Sequence, residues 1–301
     1  MSDIEKYVDK AMFAAAPMAS TTPKVYLLSM TPDPLGANAA AVRMYKGIPT
    51  YSLSDISDQE RIDYWEQSQL TELKAPHEFI NLHFFLEGVD RSFTHQAVRQ
   101  RTAVYAQESL RFAVKDARLI DECSRPPSLD DPSRSQSIRN DLEDAWGKAL
   151  DQIEESYKFL IANGVPAEDA RGLLPGAVLT RYNYATNLRN LASEAGKRLC
   201  IQAQFHWREA FLGMREAVRN YEPTGDTGFD QRWQFEMIAD SNVFSPVCYQ
   251  VGHCGFKAEF DRGCTIRERV DAYEAHGVSS GSWDPEMRKA FLTDPKAGFV
   301  S

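Results

Sequence analysis

The chain has 301 residues, 43% of them hydrophobic, and a formal net charge of −9. That is enough apolar material to bury a sizeable core, as one large domain or one domain with an appended lobe, and it excludes a disordered chain. The acidic balance argues against a dedicated nucleic-acid surface, because phosphate backbones are bound by a net basic face. A small anion stays within reach where a few arginines gather locally.

The N-terminal stretch MSDIEKYVDKAMFAAAPMAS has no clean basic leader, and its apolar run Ala11 to Ala16 is too short to span a bilayer. The expectation is a cytoplasmic protein without membrane attachment. Five cysteines (Cys123, Cys200, Cys248, Cys254, Cys264) at irregular spacing fit a reducing compartment better than a disulfide framework.

In chain order, KVYLLSM at 24–30 predicts a strand, closed by the turn-prone TPDPLG. A short helix is expected over Asn38 to Tyr45 and a second over DISDQERIDYWEQSQL, capped by Ser57 or Asp58. EFINLHFFLEG favours a strand leading to Gly88. The polar ECSRPPSLDDPSRSQS, Glu122 to Ser137, marks a surface loop or insertion. Apolar residues from Leu142 to Leu160 recur near the helical period, so a long helix is expected over 139–162 with Asn163-Gly164 as its stop. A second long helix is expected over about 185–220. Beyond it, Pro223, Gly225 and Gly228 introduce a less regular segment. The fold class implied is α+β, a mixed sheet packed against long helices.

The segment RQRTAVYAQESLRF (Arg99 to Phe112) sets Arg99, Arg101 and Arg111 among residues that otherwise read as buried. A plain reading leaves the arginines solvated, with Glu108 and Asp116 as pairing partners. The functional reading is a phosphate site, because a guanidinium fork matches phosphate bidentately, with Gln96 and Gln107 reading a base edge or a flavin ring.

Arg99-Gln100-Arg101, seven residues, then Ser109 resembles the Arg-His-Arg, seven residues, Ser signature of flavin-dependent thymidylate synthases. GVDRSFTHQAVRQR and YAQESLR are similar to the approach to that motif and its exit. EDARGLLP (Glu168 to Pro175) resembles the family's Asp-Ala-Arg segment, and TNLRNL (Thr186 to Leu191) its Asn-x-Arg segment. Arg198 stands 27 residues after Arg171, followed by AQFHWRE. The resemblance covers residues 24–215, so a catalytic domain is expected over 1–222, with a loop insertion at about 117–138 and a C-terminal extension over 223–301.

The resemblance implies reductive methylation of dUMP at C5, with methylenetetrahydrofolate as carbon donor, FAD as redox carrier and NADPH as its reductant, in a homotetramer with shared sites. Gln96, Arg99, Gln107, Ser109, Arg111, Arg171 and Arg198 fall on nucleotide-binding positions. Arg99, Gln100, Arg101, Gln107, Asn187, Arg189 and Ser193 fall on flavin-contacting ones. Arg198 matches the position that favours ionisation of uracil N3, since a fixed cation beside that edge stabilises the anionic ring. Ser109 has no histidine beside it in sequence to act as a base, and reads as a ligand contact. Asn187 and Arg198, eleven residues apart, share a face if one helix carries them, and Arg189 then points elsewhere.

Three departures stand out. Gln100 replaces the motif histidine, Gln107 a frequent glutamate, and the flavin-side His-Glu-Ser/Thr-Pro-x-Glu-His reads Leu73-Lys74-Ala75-Pro76-His77-Glu78-Phe79. They leave open a related UMP or dUMP methylase, and a nucleotide-binding homologue that has lost the redox step. Cys248, His253, Cys254 and Cys264 fit no paired zinc spacing, so no metal is expected. The tryptophans read as core anchors.

Overall fold

In the computed structural model, which describes residues 22–112, 114–200, 203–223 and 232–251, the strand expected at 24–30 is β1 (Lys24–Met30). The first helix, α1 (Pro34–Tyr45), starts four residues before the expected Asn38. Asp33-Pro34 is the cause: the Asp33 carboxylate accepts the Gly36 N–H at 2.9 Å, and proline at the first helical position has no N–H to leave unsatisfied. Helix α2 (Asp58–Leu70) begins at Ser57, which forms a reciprocal capping box with Glu60. Strand β2 (Asn81–Asp90) passes directly into α3 (Arg91–Ala97). The turn is fixed by Asp90, which accepts the Phe93 N–H at 2.6 Å and the Ser124 hydroxyl at 2.9 Å. The short β3 (Val104–Gln107) lies inside the arginine-bearing segment.

The polar stretch after it is not a loose insertion. Arg125 holds Glu143 through Nε at 2.9 and 3.0 Å and Asp130 through Nη2 at 2.8 Å, tying the segment to α4 (Gln136–Ala162). Gly164, at φ 84°, follows the end of α4 in the left-handed conformation that glycine tolerates. After α5 (Ala167–Ala170), the helix expected over about 185–220 is two helices, α6 (Leu188–Arg198) and α7 (Phe205–Arg219), and its first three residues instead close a strand, β4 (Leu179–Asn187). The reason is the period. Thr180, Tyr182, Tyr184 and Thr186 are buried at every second position, and β-branched and aromatic side chains suit a pleated surface. Asn187 then caps α6 by accepting the Asn190 N–H at 3.0 Å. Two short helices follow, α8 (Arg232–Ala239) and α9 (Val247–Val251).

The strands form one sheet in the order β1-β2-β4-β3. Thr31 bonds Asn81, Leu188 bonds Ile80, Arg91 bonds Val178 and Glu108 bonds Arg181, so strand ends meet strand starts throughout. The sheet is therefore antiparallel, where a mixed one was expected, and the class is α+β.

Two compact units divide the chain. The first comprises Val25–Phe84 and the described residues between Ala185 and Val251. Its core includes Leu35, Ile80, Phe84, Leu191 and Phe211, together with Phe235, Ile238 and Phe244 from the C-terminal segment. The Gln234 side chain accepts the buried Leu35 N–H at 2.9 Å, which ties α8 to the start of α1. The second unit is built mainly from Phe85–Tyr184, and Leu110, Leu119, Cys123, Leu150 and Val178 form a cluster within it.

Candidate functional site

Within the second unit, the backbone turn Ser109–Phe112 presents Arg111 beside α5. The Ser109 hydroxyl accepts the Arg111 N–H at 3.3 Å, which braces the turn. Arg111 Nε lies 3.1 Å from the Glu168 carboxylate, and Arg171 Nε donates to the Glu168 carbonyl at 3.0 Å. Arg111 and Arg171, sixty residues apart in sequence, are thus brought to one acidic residue. Arg91 is close enough to Arg171 for that like charge, after burial, to lower its pKa, while Glu108 acts in the opposite sense.

Arg91 also lines a cavity of about 380 Å³ with Thr94, His95, Val98 and Gln107. The Gln107 amide donates to Thr94 Oγ1 at 2.8 Å, which fixes its plane. Gly176 is required on the rim, because a Cβ there would approach Ser92 Oγ to 2.7 Å. Sequence reasoning missed Arg91. The signal was present in GVDRSFTHQAVRQR, where it directly follows the Asp90 cap.

Gln100, in the place of the motif histidine, accepts the Tyr184 phenol at 2.8 Å on its side-chain oxygen. The Tyr105 phenol makes its shortest contact, 2.7 Å, with the Ala97 carbonyl. Tyr105 stacks on Tyr182 and Tyr184 with ring centres 6.2 and 5.6 Å apart, giving a flat aromatic bed under the motif. Arg99 and Arg101 are exposed on the turn before β3, and Gln96 is half-buried on α3.

The remaining candidates belong to the first unit and lie on α6. Arg189 and Ser193 face one cavity of about 320 Å³, together with Lys74 and His77. Glu78, retained from the flavin-side segment, forms an ion pair with Arg189. His77 is buried, with its Nε2 3.0 Å from the Ser68 hydroxyl, and burial followed by the charges of Lys74 and Arg189 pushes its pKa down to about 3. It is a neutral wall residue. Asn187 ends β4 and is taken up as the cap of α6, so the expectation that one helix carries both Asn187 and Arg198 does not apply.

Arg198 ends the same helix. Its guanidinium lies 4.3 Å over the Trp207 ring and its Nε is 3.4 Å from Glu194. Trp207, read from sequence as a core anchor, is also what orients this cation. The only warning in the sequence was its position shortly after Arg198 in AQFHWRE.

A family model described as thymidylate synthase complementing protein matches residues 26–224. The chain belongs to this family, the flavin-dependent thymidylate synthases. The flavin-dependent thymidylate synthase of Pyrococcus horikoshii is 30% identical over 254 residues, covering 82% of this chain and 95% of that protein. The enzyme of Pyrococcus abyssi is 33% identical over 188 residues, covering 62% and 69%. Thymidylate Synthase X from Helicobacter pylori, solved with FAD and dUMP, has the same fold, with a TM-score of 0.50 at 16% identity over 72% of this chain and 99% of that one.

Of the residues that the sequence resemblance assigns to a flavin, Gln100 offers a fixed amide beside Tyr184, Arg99 and Arg101 are exposed, and Arg189 opens on the α6 cavity, a donor set that fits a flavin dinucleotide's polar and anionic groups. Among the described residues no group of histidine, cysteine and carboxylate side chains is arranged for a metal, and no helix is long and apolar enough to cross a membrane. His253, Cys254 and Cys264 lie outside the described residues.

Proposed function

We propose that this chain converts dUMP to dTMP, with methylenetetrahydrofolate as carbon donor and NADPH as reductant, in a cytoplasmic homotetramer. FAD, once bound and reduced by NADPH, would supply the hydride to the exocyclic carbon. The protein's own residues bind, orient and polarise. The single observation that carries the reading is the convergence of Arg111 and Arg171 on Glu168, with the fixed Gln107 amide and Arg91 lining a cavity in the same unit.

In this reading, Arg111 and Arg171 take the nucleotide phosphate, which displaces the Glu168 carboxylate from Arg111 because a dianion offers the fork more charge. Gln96, Arg99 and Ser109 complete the nucleotide contacts, and Gln107 presents an amide able to donate to and accept from a pyrimidine edge. Arg198, held flat on Trp207, stabilises the uracil ring as N3 loses its proton, so that C5 becomes electron-rich enough to attack. Arg99, Gln100, Arg101, Gln107, Asn187, Arg189 and Ser193 are assigned to the flavin. Exposed apolar side chains on the edge strands, Tyr26 and Leu28 on β1 and Val104 on β3, support self-association.

The test is an anaerobic turnover with dUMP, methylenetetrahydrofolate and NADPH, with FAD supplied and the product identified by mass. The expected product is dTMP. Uptake of FAD without methyl transfer would leave a binding homologue, and methylation of UMP in preference to dUMP would reassign the substrate.

A further inference from the structure

The family match ends at residue 224, yet the α6 cavity does not end with the family's residues. One side is α6 itself, through Arg189, Ala192, Ser193 and Lys197, with Glu72, Lys74 and His77 from the turn before β2, where Glu72 is the one carboxylate among three cations. The opposite side is Asn242, Val243, Val247, Gln250 and Val251, all from the C-terminal segment.

That second side is anchored. The Gln250 amide donates to the Ala192 carbonyl on α6 at 2.9 Å and to the Ser245 carbonyl, also at 2.9 Å. A Cβ at Gly196 would stand only 3.1 Å from Gln250 Oε1, so α6 carries glycine where the segment approaches it most closely. Val243, Phe244 and Tyr249 are buried, so the segment is part of the packed unit.

The two sides differ in chemistry. Val243, Val247 and Val251 give an apolar face, whereas Lys74, Arg189 and Lys197 bring cations. Each cation already has a protein partner: Lys74 on the Ser68 and Gln69 carbonyls, Arg189 on Glu78, Lys197 on Glu194 at 2.7 Å. Such a cavity suits a flat heterocycle against the valines with an anionic group towards the cations, and about 320 Å³ holds one ring system and its neighbouring group but not a whole dinucleotide.

We propose that residues 242–251 form one wall of the flavin site and accept a ring-plus-phosphate portion of FAD, so that cofactor binding and docking of this segment are coupled. The proposal rests on the flavin reading above. It gives a role to a segment beyond the span of the matched family model, opposite a turn that reads without the two flavin-side histidines.

The test uses the full chain. Val247→Trp and Val251→Trp each fill the cavity from the proposed wall, and the affinity of the apoprotein for FAD is read from quenching of flavin fluorescence. Melting temperature without ligand shows that each variant is folded. The expected result is FAD binding weakened at least tenfold in both. In the wild-type protein, backbone amide exchange over 242–251 should also slow when FAD is added, a reading that stands even where a variant misfolds. Wild-type protein that binds FAD with no protection of 242–251, or folded variants that bind it equally well, would overturn this inference alone. Wild-type protein that takes up no FAD would overturn the functional reading and this inference with it.

Discussion

Arg198→Lys is expected to slow turnover far more than it weakens nucleotide binding. The guanidinium is fixed from two sides, 4.3 Å over Trp207 and 3.4 Å from Glu194, and only 23% of the side chain is exposed. Lysine keeps the charge and can still rest on the indole, but it offers a point charge in place of an oriented fork. The loss then falls on the developing uracil anion, about 2–4 kcal/mol in the barrier, or roughly 30- to 1000-fold in kcat. Arg111→Ala should do the reverse. Its fork is half-exposed and tethered to Glu168, and its proposed partner, the phosphate, carries the same charge in ground and transition states. A charged hydrogen bond of about 1.5–3 kcal/mol is lost, raising the dUMP dissociation constant roughly 10- to 150-fold with kcat preserved. Trp207→Leu, which removes the ring but keeps an apolar side chain, should cost about 1–2 kcal/mol of orientation, a smaller fall in kcat than Arg198→Lys gives. Anaerobic single-turnover rates and equilibrium dialysis of dUMP separate these outcomes. An Arg198→Lys protein that binds dUMP poorly and turns over normally would show that Arg198 is only another anchor.

Three further outcomes follow from the geometry. His77 has a folded pKa near 3 against about 6.5 unfolded. The unfolded chain therefore takes up a proton first as pH falls, and stability drops by about 1.4 kcal/mol per unit between these values, roughly 2 kcal/mol by pH 5. His77→Gln should flatten this dependence in urea titrations, and parallel curves for the two proteins would contradict the burial argument. Arg125→Ala should lower stability by about 1–2 kcal/mol, discounted because Asp130 and Glu143 are solvated; an unchanged urea midpoint would show that the clamp is idle. Tyr184→Phe removes the 2.8 Å bond to Gln100, at about 0.5–1.5 kcal/mol, and should shift the visible spectrum of bound flavin. A loss of stability with an unaltered spectrum would mean that Gln100 does not face the cofactor.

The parts legible in the sequence were those written in local chemistry. Ser57 and Glu60 announce α2, and the apolar period from Leu142 to Leu160 announces α4. β4 was missed because TRYNYAT carries its period-two signal in threonine and tyrosine, not in aliphatic residues, and the helix start was set two to three residues early because Asn187 starts α6 at the residue where the strand stops. The candidate site was legible as residue types but not as partners. Nothing local in the sequence pairs Arg111 with Glu168, Gln100 with Tyr184 or Arg198 with Trp207, since folding alone sets those distances. The same holds for the C-terminal segment, whose irregular composition conceals Gln234 and Gln250 as its two anchors.

An acidic protein that binds a nucleotide must keep its arginines from being neutralised permanently by its own carboxylates. Three of the candidate arginines are paired with acids: Arg111 with Glu168, Arg189 with Glu78 and Arg198 with Glu194. The Arg111 and Arg189 pairs are both about half-exposed, and such pairs are worth only about 0.2–1 kcal/mol; the Arg111 pair, with side chains 49% and 54% accessible, is the one at the proposed phosphate contact. Glu168 therefore acts as a weak placeholder. Glu168→Gln leaves the carbonyl that holds Arg171 in place and removes only the charge competing for Arg111. The variant should bind dUMP more tightly, by roughly 1.5- to 5-fold, with a smaller gain at high salt, where the exposed pair is already screened. Dialysis of dUMP at two ionic strengths measures both. Weaker binding in Glu168→Gln would show that the carboxylate orients Arg111 for the phosphate, and the placeholder argument would fail.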